Sequence, residues 1–122
     1  MNLDIDYSKI KDYPEYKLFF LSDECNIQLF THNEAMKLRD LNDEERKIML
    51  DNSIKIRKIR LEVSKILKER FNFEILDEKG NFTKKYNEWF DKWNDWRFSF
   101  SDEKWLEIDE KLKNNESIED YL

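Results

Sequence analysis

One glycine (Gly80) and one proline (Pro14) in 122 residues leave this chain few ways to turn. Hairpins rely on residues that accept positive φ, glycine and asparagine first, and a sheet protein needs many of them. Their near absence predicts helices joined by short polar links. No repeat or low-complexity tract interrupts that pattern. The expected fold class is mainly α. A single helical domain over residues 1–122 is expected, a compact bundle of four to six helices around a long central helix at about 43–71. A minor β-hairpin near 16–31 or 73–83 is the alternative for those two segments.

The helix boundaries follow from capping chemistry. Pro14 suits the first turn of a helix through Tyr16, Leu18, Phe19, Phe20 and Leu21. Thr31-His32-Asn33-Glu34 has the form of a capping box and predicts a new short helix to about Leu41. Asn42-Asp43-Glu44-Glu45 repeats the form and opens the central helix, with acidic residues suiting its N-terminal dipole. Phe73 to Leu76 is a short apolar stretch, and Asp77-Glu78-Lys79-Gly80-Asn81 is the strongest turn signal. Apolar residues at 82, 86, 89, 90, 93 and 96 have helical spacing. Ser99 or Ser101 caps a further helix with Trp105, Ile108 and Leu112 on one side. Asn114-Asn115 ends it, and Ser117 to Leu122 forms a last turn.

Charge is distributed as unevenly as turn residues. The chain is −6 overall with 41% charged residues, yet Lys55, Arg57, Lys58, Arg60, Lys65, Lys68 and Arg70 face only Glu62 and Glu69 between 55 and 70. On a helical wheel Ile48, Ile56, Ile59, Val63, Ile66 and Leu67 share one broad apolar stripe, the core face. Leu50, Ile54 and Leu61 form a thinner stripe on the other side, edged by Arg46, Arg57 and Lys68 and by Lys47, Lys58 and Lys65. An acidic segment of the same chain, the C-terminal helix first, is the expected cover for it. A second chain is the alternative. The aromatics from Phe82 to Phe100 alternate with Glu88, Asp91 and Asp95, which repel phosphates, so they are read as core. Trp96 or Trp105 is the candidate for an exposed anchor.

Groups for chemistry are scarce. A phosphate-cradling loop or dinucleotide fingerprint needs several glycines. One cysteine (Cys25) and one histidine (His32) do not supply a zinc site, and their spacing does not support a nucleophile–base pair. Acidic-x-Lys triplets, such as Glu15-Tyr16-Lys17 and Asp77-Glu78-Lys79, would need a strand and a further carboxylate to hold a metal. No cofactor and no enzymatic activity are expected. The N-terminal residues show no basic region leading into an apolar one, and no apolar run approaches a membrane span, so a cytoplasmic protein is expected.

The function these features predict is non-enzymatic binding of a protein partner. Asp102, Glu103, Glu107, Asp109, Glu110, Glu116, Glu119 and Asp120 form an acidic face that would compete with phosphates for a basic groove on the partner. A mobile-element-encoded inhibitor of a nucleic-acid-handling enzyme fits that chemistry. The basic and apolar face of the central helix (Arg46, Lys47, Leu50, Ile54, Arg57, Lys58, Leu61, Lys65, Lys68) is the second candidate surface. Direct nucleic-acid binding through it is opposed by the net charge of −6. Self-association into a homo-oligomer is the third reading.

Overall fold

A computed structural model of the chain describes residues 3–122; Met1 and Asn2, the start of the segment read for a leader, lie outside it. Among the described residues there are five α-helices and a 3-10 turn. They are α1 (Tyr7–Ile10), α2 (Glu15–Leu38), α3 (Asp43–Phe71), α4 (Lys84–Phe98), α5 (Asp102–Lys113) and the turn Glu119–Tyr121. The mainly helical class and the number of helices are as the sequence predicts. The described residues divide into two compact units, 3–86 and 87–122.

The first unit is built on a helical hairpin, α2 packed along α3. Asp6 caps α1, accepting from the Ser8 amide at 3.0 Å and the Ser8 hydroxyl at 2.6 Å. Those bonds stabilise the carboxylate and hold Asp6 below its usual pKa. Pro14 sits at the start of α2, but as its extended N-cap, one residue before the first turn where the sequence reading places it. The predicted break at Thr31 does not occur, and neither does the alternative hairpin at 16–31. Thr31 Oγ1 donates back to the Ile27 carbonyl at 2.9 Å, inside a continuous 24-residue helix. His32, read as a helix-start residue, is mid-helix, with Nδ1 2.7 Å from the Gln28 carbonyl. That carbonyl can only accept, so Nδ1 carries the proton. The reason is local: nothing between Glu15 and Leu38 is glycine or proline, so a Thr-x-x-Glu pattern alone leaves the chain helical.

At Asn42 the same pattern does cap. Asn42 Oδ1 accepts from the Glu45 amide at 2.8 Å, and Glu45 Oε1 accepts from the Asn42 amide at 3.4 Å. Here Arg39 is already extended, so the chain has left α2 before the new helix starts. Ile56, Ile59, Val63, Ile66 and Leu67 are buried on the inner face of α3. Tyr16, Leu18, Phe19 and Cys25 are buried on α2, and Ile10 ends α1 in full burial. Ile48 departs from the predicted core face and is 53% exposed. The Arg60–Asn26 bond (3.2 Å) sets the register of the hairpin. In that register Ile48 lies level with the last turns of α2, where Glu34 and Lys37 pair with each other.

α3 stops at Asn72, which takes the left-handed conformation (φ 50) and turns its amide onto the Leu67 and Lys68 carbonyls. Phe73 then folds back, its amide reaching the Leu67 carbonyl at 3.3 Å, and its ring is buried. The alternative hairpin at 73–83 is reduced to one isolated antiparallel bridge, Leu76 to Phe82. Asp77 closes its turn by accepting from the amides of Lys79 and Asn81, both at 2.9 Å, while Gly80 supplies φ 81. Phe82 stacks on Tyr86 with ring centroids 4.6 Å apart.

The second unit centres on one indole. Trp96 meets Trp93, Phe100 and Trp105 edge-on, with centroids 5.1 to 5.9 Å apart. Its N–H donates to the Tyr121 carbonyl at 2.9 Å, which anchors the C-terminal 3-10 turn. Ile108 of α5 and Ile118 are fully buried. Ser101, not Ser99, caps α5; the Ser99 hydroxyl instead donates to the Trp96 carbonyl. Asn115 ends α5 in the left-handed conformation (φ 57). The Glu116 amide then reaches Lys111 O at 2.8 Å, which satisfies a terminal carbonyl.

Candidate protein-binding face

The outer face of α3 is open. Leu50, Ile54 and Leu61 are exposed by 50, 52 and 57%, a bare apolar row on the surface of this unit. The cations beside it point to solvent. Arg46, Lys47, Arg57, Lys58 and Lys65 are all exposed, and none of them makes an ion pair among the described residues. Lys68 is held by Glu74 at 3.1 Å. Arg60 and Arg70, in the same basic run, serve the fold: Arg60 bonds Asn26, and Arg70 donates to the carbonyls of Lys11 and Tyr13.

At its C-terminal end the row enters a groove of about 770 Å³. One wall is α3, with Arg57, Arg60, Leu61, Ser64 and Lys68. The other is the bridged hairpin, with Phe73 to Glu78 and Phe82, and Ser22 and Asn26 of α2 line the remainder. Leu76 and Phe82 are 51 and 56% exposed. These hairpin residues were missed by sequence reasoning, which assigned Phe82 to the helical core stripe. The available signal was the strong turn at 77–81, which predicts that the flanking side chains fold back together. α2 carries a second omission: Ile27, Phe30 and Leu38 are each half or more exposed.

The acidic residues at the C-terminus form a different kind of surface. Asp102, Glu103, Glu110, Glu116, Glu119 and Asp120 are exposed, but Glu107 and Asp109 are engaged. Lys104 lies 3.0 Å from Glu107, and Lys113 lies 2.8 Å from Asp109. The hydrogen bond from Lys104 lowers the pKa of Glu107 and raises that of Lys104; the Tyr121 hydroxyl adds to the first effect at 3.4 Å. Of the two rings proposed as exposed anchors, Trp96 is tied to Tyr121 and Trp105 receives Arg97 over its face at 5.8 Å. Both are only partly exposed, and the open ring of this unit is Phe98, 80% exposed.

Cys25 is fully buried, and burial pushes its thiol up to about 12, against a smaller opposing pull from Arg60. It is a packing residue, not a poised nucleophile. Glu15-Tyr16-Lys17 lies in the first turn of α2 and Asp77-Glu78-Lys79 in a turn, so neither sits on a strand. Among the described residues no group of three or more His, Cys, Asp or Glu side chains could hold a metal, and no helix is long and apolar enough to cross a membrane.

No family model matches the chain, and no solved structure matches it. Among curated proteins it is similar to the phosphoribosylaminoimidazole-succinocarboxamide synthase of Pediococcus pentosaceus, at 32% identity over 84 residues. The match covers 66% of this chain and 32% of the synthase, so the chain spans about a third of the length of the protein it resembles.

Proposed function

We propose that this chain is a non-enzymatic binding protein that engages a protein partner through the outer face of α3. The observation that carries the reading is the row Leu50, Ile54 and Leu61, each half or more in water on one face of a well-formed helix. Single exposed aliphatics are ordinary, but a row of them leading into an apolar groove marks a contact surface. The exposed cations around it supply the polar rim that such surfaces carry. Duplex nucleic acid is the weaker partner, because a protein of net charge −6 is repelled by it outside this one face. The likeness to a third of the synthase's length supports no catalytic role for any numbered residue here.

The test is the double variant Leu50→Asp with Leu61→Asp, used in affinity capture from cells that carry the protein. The variant keeps its helical circular dichroism and thermal midpoint and loses the captured partner. Global unfolding makes the row part of the core, and unchanged capture moves the contact elsewhere; either result sinks the reading.

The exposure of Asp102, Glu103, Glu110, Glu116, Glu119 and Asp120 favours a second, narrower reading. In it the chain inhibits a nucleic-acid-handling enzyme, and a mobile element encodes it. These carboxylates occupy a basic groove in place of phosphates. Reversing them to lysine would then abolish inhibition, while the aspartate variants of α3 would leave it intact.

A further inference from the structure

The bare row and the groove together specify more than the existence of a partner. From Leu50 to Lys68 they follow α3 for about 27 Å, roughly five helical turns. The groove alone would suit a small molecule, since ligand sites run to about 300–1,000 Å³. A small molecule would leave Leu50 and Ile54 in water. An occupant that covers both has to be long, straight and apolar along one side, which is the description of an amphipathic helix laid in a groove.

The charges fix its flanks. On the α3 side, Arg57, Lys58 and Lys65 are exposed and make no ion pair among the described residues. On the hairpin side, Glu78 lines the groove and likewise makes none. Lys68 does not contribute, because Glu74 neutralises it, whereas Asp77 keeps its charge, since the Lys79 and Asn81 amides that bond it are neutral. The unspent charge is therefore cationic along α3 and anionic at the turn.

We infer that this face seats one amphipathic helix of a partner protein, about 18 residues long, with carboxylates on the flank against α3. Apolar side chains at helical spacing cover Leu50 and Ile54, and the last of them fills the groove between Leu61, Leu76 and Phe82. This rests on the reading of α3 as a contact surface and adds the chemistry of what it contacts.

The experiment pans phage-displayed random peptides of about 18 residues against the full chain and measures the winners in solution. Enriched sequences are expected to repeat leucine, isoleucine or phenylalanine at helical spacing with aspartate or glutamate between. Leu61→Asp should weaken them at least about tenfold, as loss of a central anchor does, with its circular dichroism unchanged. Arg57→Glu should weaken them too, and changing the peptide's facing carboxylate to lysine should restore binding to that variant. Peptides that are basic or lack helical spacing, yet are lost in Leu61→Asp, overturn this inference and leave the contact surface standing. Failure to enrich any peptide, or winners indifferent to Leu61→Asp, overturns both. A dimer in sedimentation that Leu61→Asp dissolves makes a second copy the occupant. Duplex DNA binding that Arg57→Glu abolishes makes it nucleic acid. Each of those results overturns the helix.

Discussion

α3 carries the same aliphatic residues on two faces with opposite outcomes. Ile56, Ile59, Val63, Ile66 and Leu67 are buried against the rest of their unit, while Leu50, Ile54 and Leu61 remain half or more exposed. Helical propensity and periodicity treat the two rows alike. What separates them within this unit is supply: α2 packs along the inner side, while the short hairpin at 73–83 walls the outer side near Leu61. A hydrophobic stripe states a demand for cover, and the length of the neighbouring elements decides whether the chain itself meets it.

The sharpest attack on this contrast is a paired truncation. Ile59→Ala empties a fully buried site and should cost about 2–5 kcal/mol in thermal or denaturant unfolding. Ile54→Ala, half in water, should stay within about 0.5 kcal/mol of the parent. Equal losses would mean that the outer row is core after all. Next comes Cys25 on the inner side. It should resist thiol reagents in the native protein at neutral pH and label at the rate of unfolding. With its folded pKa raised to about 12 from 9.0, the folded state holds the proton more tightly. Stability should therefore decline as pH rises from 9 toward 12, and Cys25→Ser should flatten that decline.

The two capping-box patterns give a smaller contrast. Asn42→Ala should lose about 1 kcal/mol, the usual worth of an N-cap. Thr31→Ala should lose nothing or gain slightly, since alanine is the better mid-helix residue. The smallest effect belongs to the exposed pair Lys104 and Glu107. The lowered Glu107 pKa stabilises above the ordinary carboxylate range and is lost as pH falls through it. The raised Lys104 pKa stabilises below the ordinary lysine range and is lost as pH rises through that. Glu107→Gln should thus shift the melting temperature slightly at pH 7 and progressively less as pH falls from the ordinary carboxylate range through the lowered Glu107 pKa.

Much of the fold was legible in the residues. Pro14, Asn42, Ser101 and the Asn114-Asn115 pair mark helix ends by chemistry that acts within a few residues, so they read correctly without tertiary information. Thr31 did not, because a cap needs the preceding chain to be non-helical, and no residue before it forces that. Ile48 illustrates a different limit. Its place on the apolar wheel is right, but α2 ends level with it, and no wheel contains the partner's length. The candidate face was half legible: the basic and apolar row follows from α3 alone. The groove depends on Leu76 and Phe82 being folded back, which only the bridge reveals. The acidic C-terminus read as one surface, while in the structure Lys104 and Lys113 engage two of its members.

Asn72 and Asn115 hold the left-handed positions that end α3 and α5. Every glycine codon opens with two guanines, whereas both asparagine codons open with two adenines. Asparagine here performs the stop that glycine performs in most proteins, so a gene poor in guanine and cytosine can still punctuate its helices. It does so under some strain, and Asn72→Gly should relax it without moving the hairpin that walls the groove.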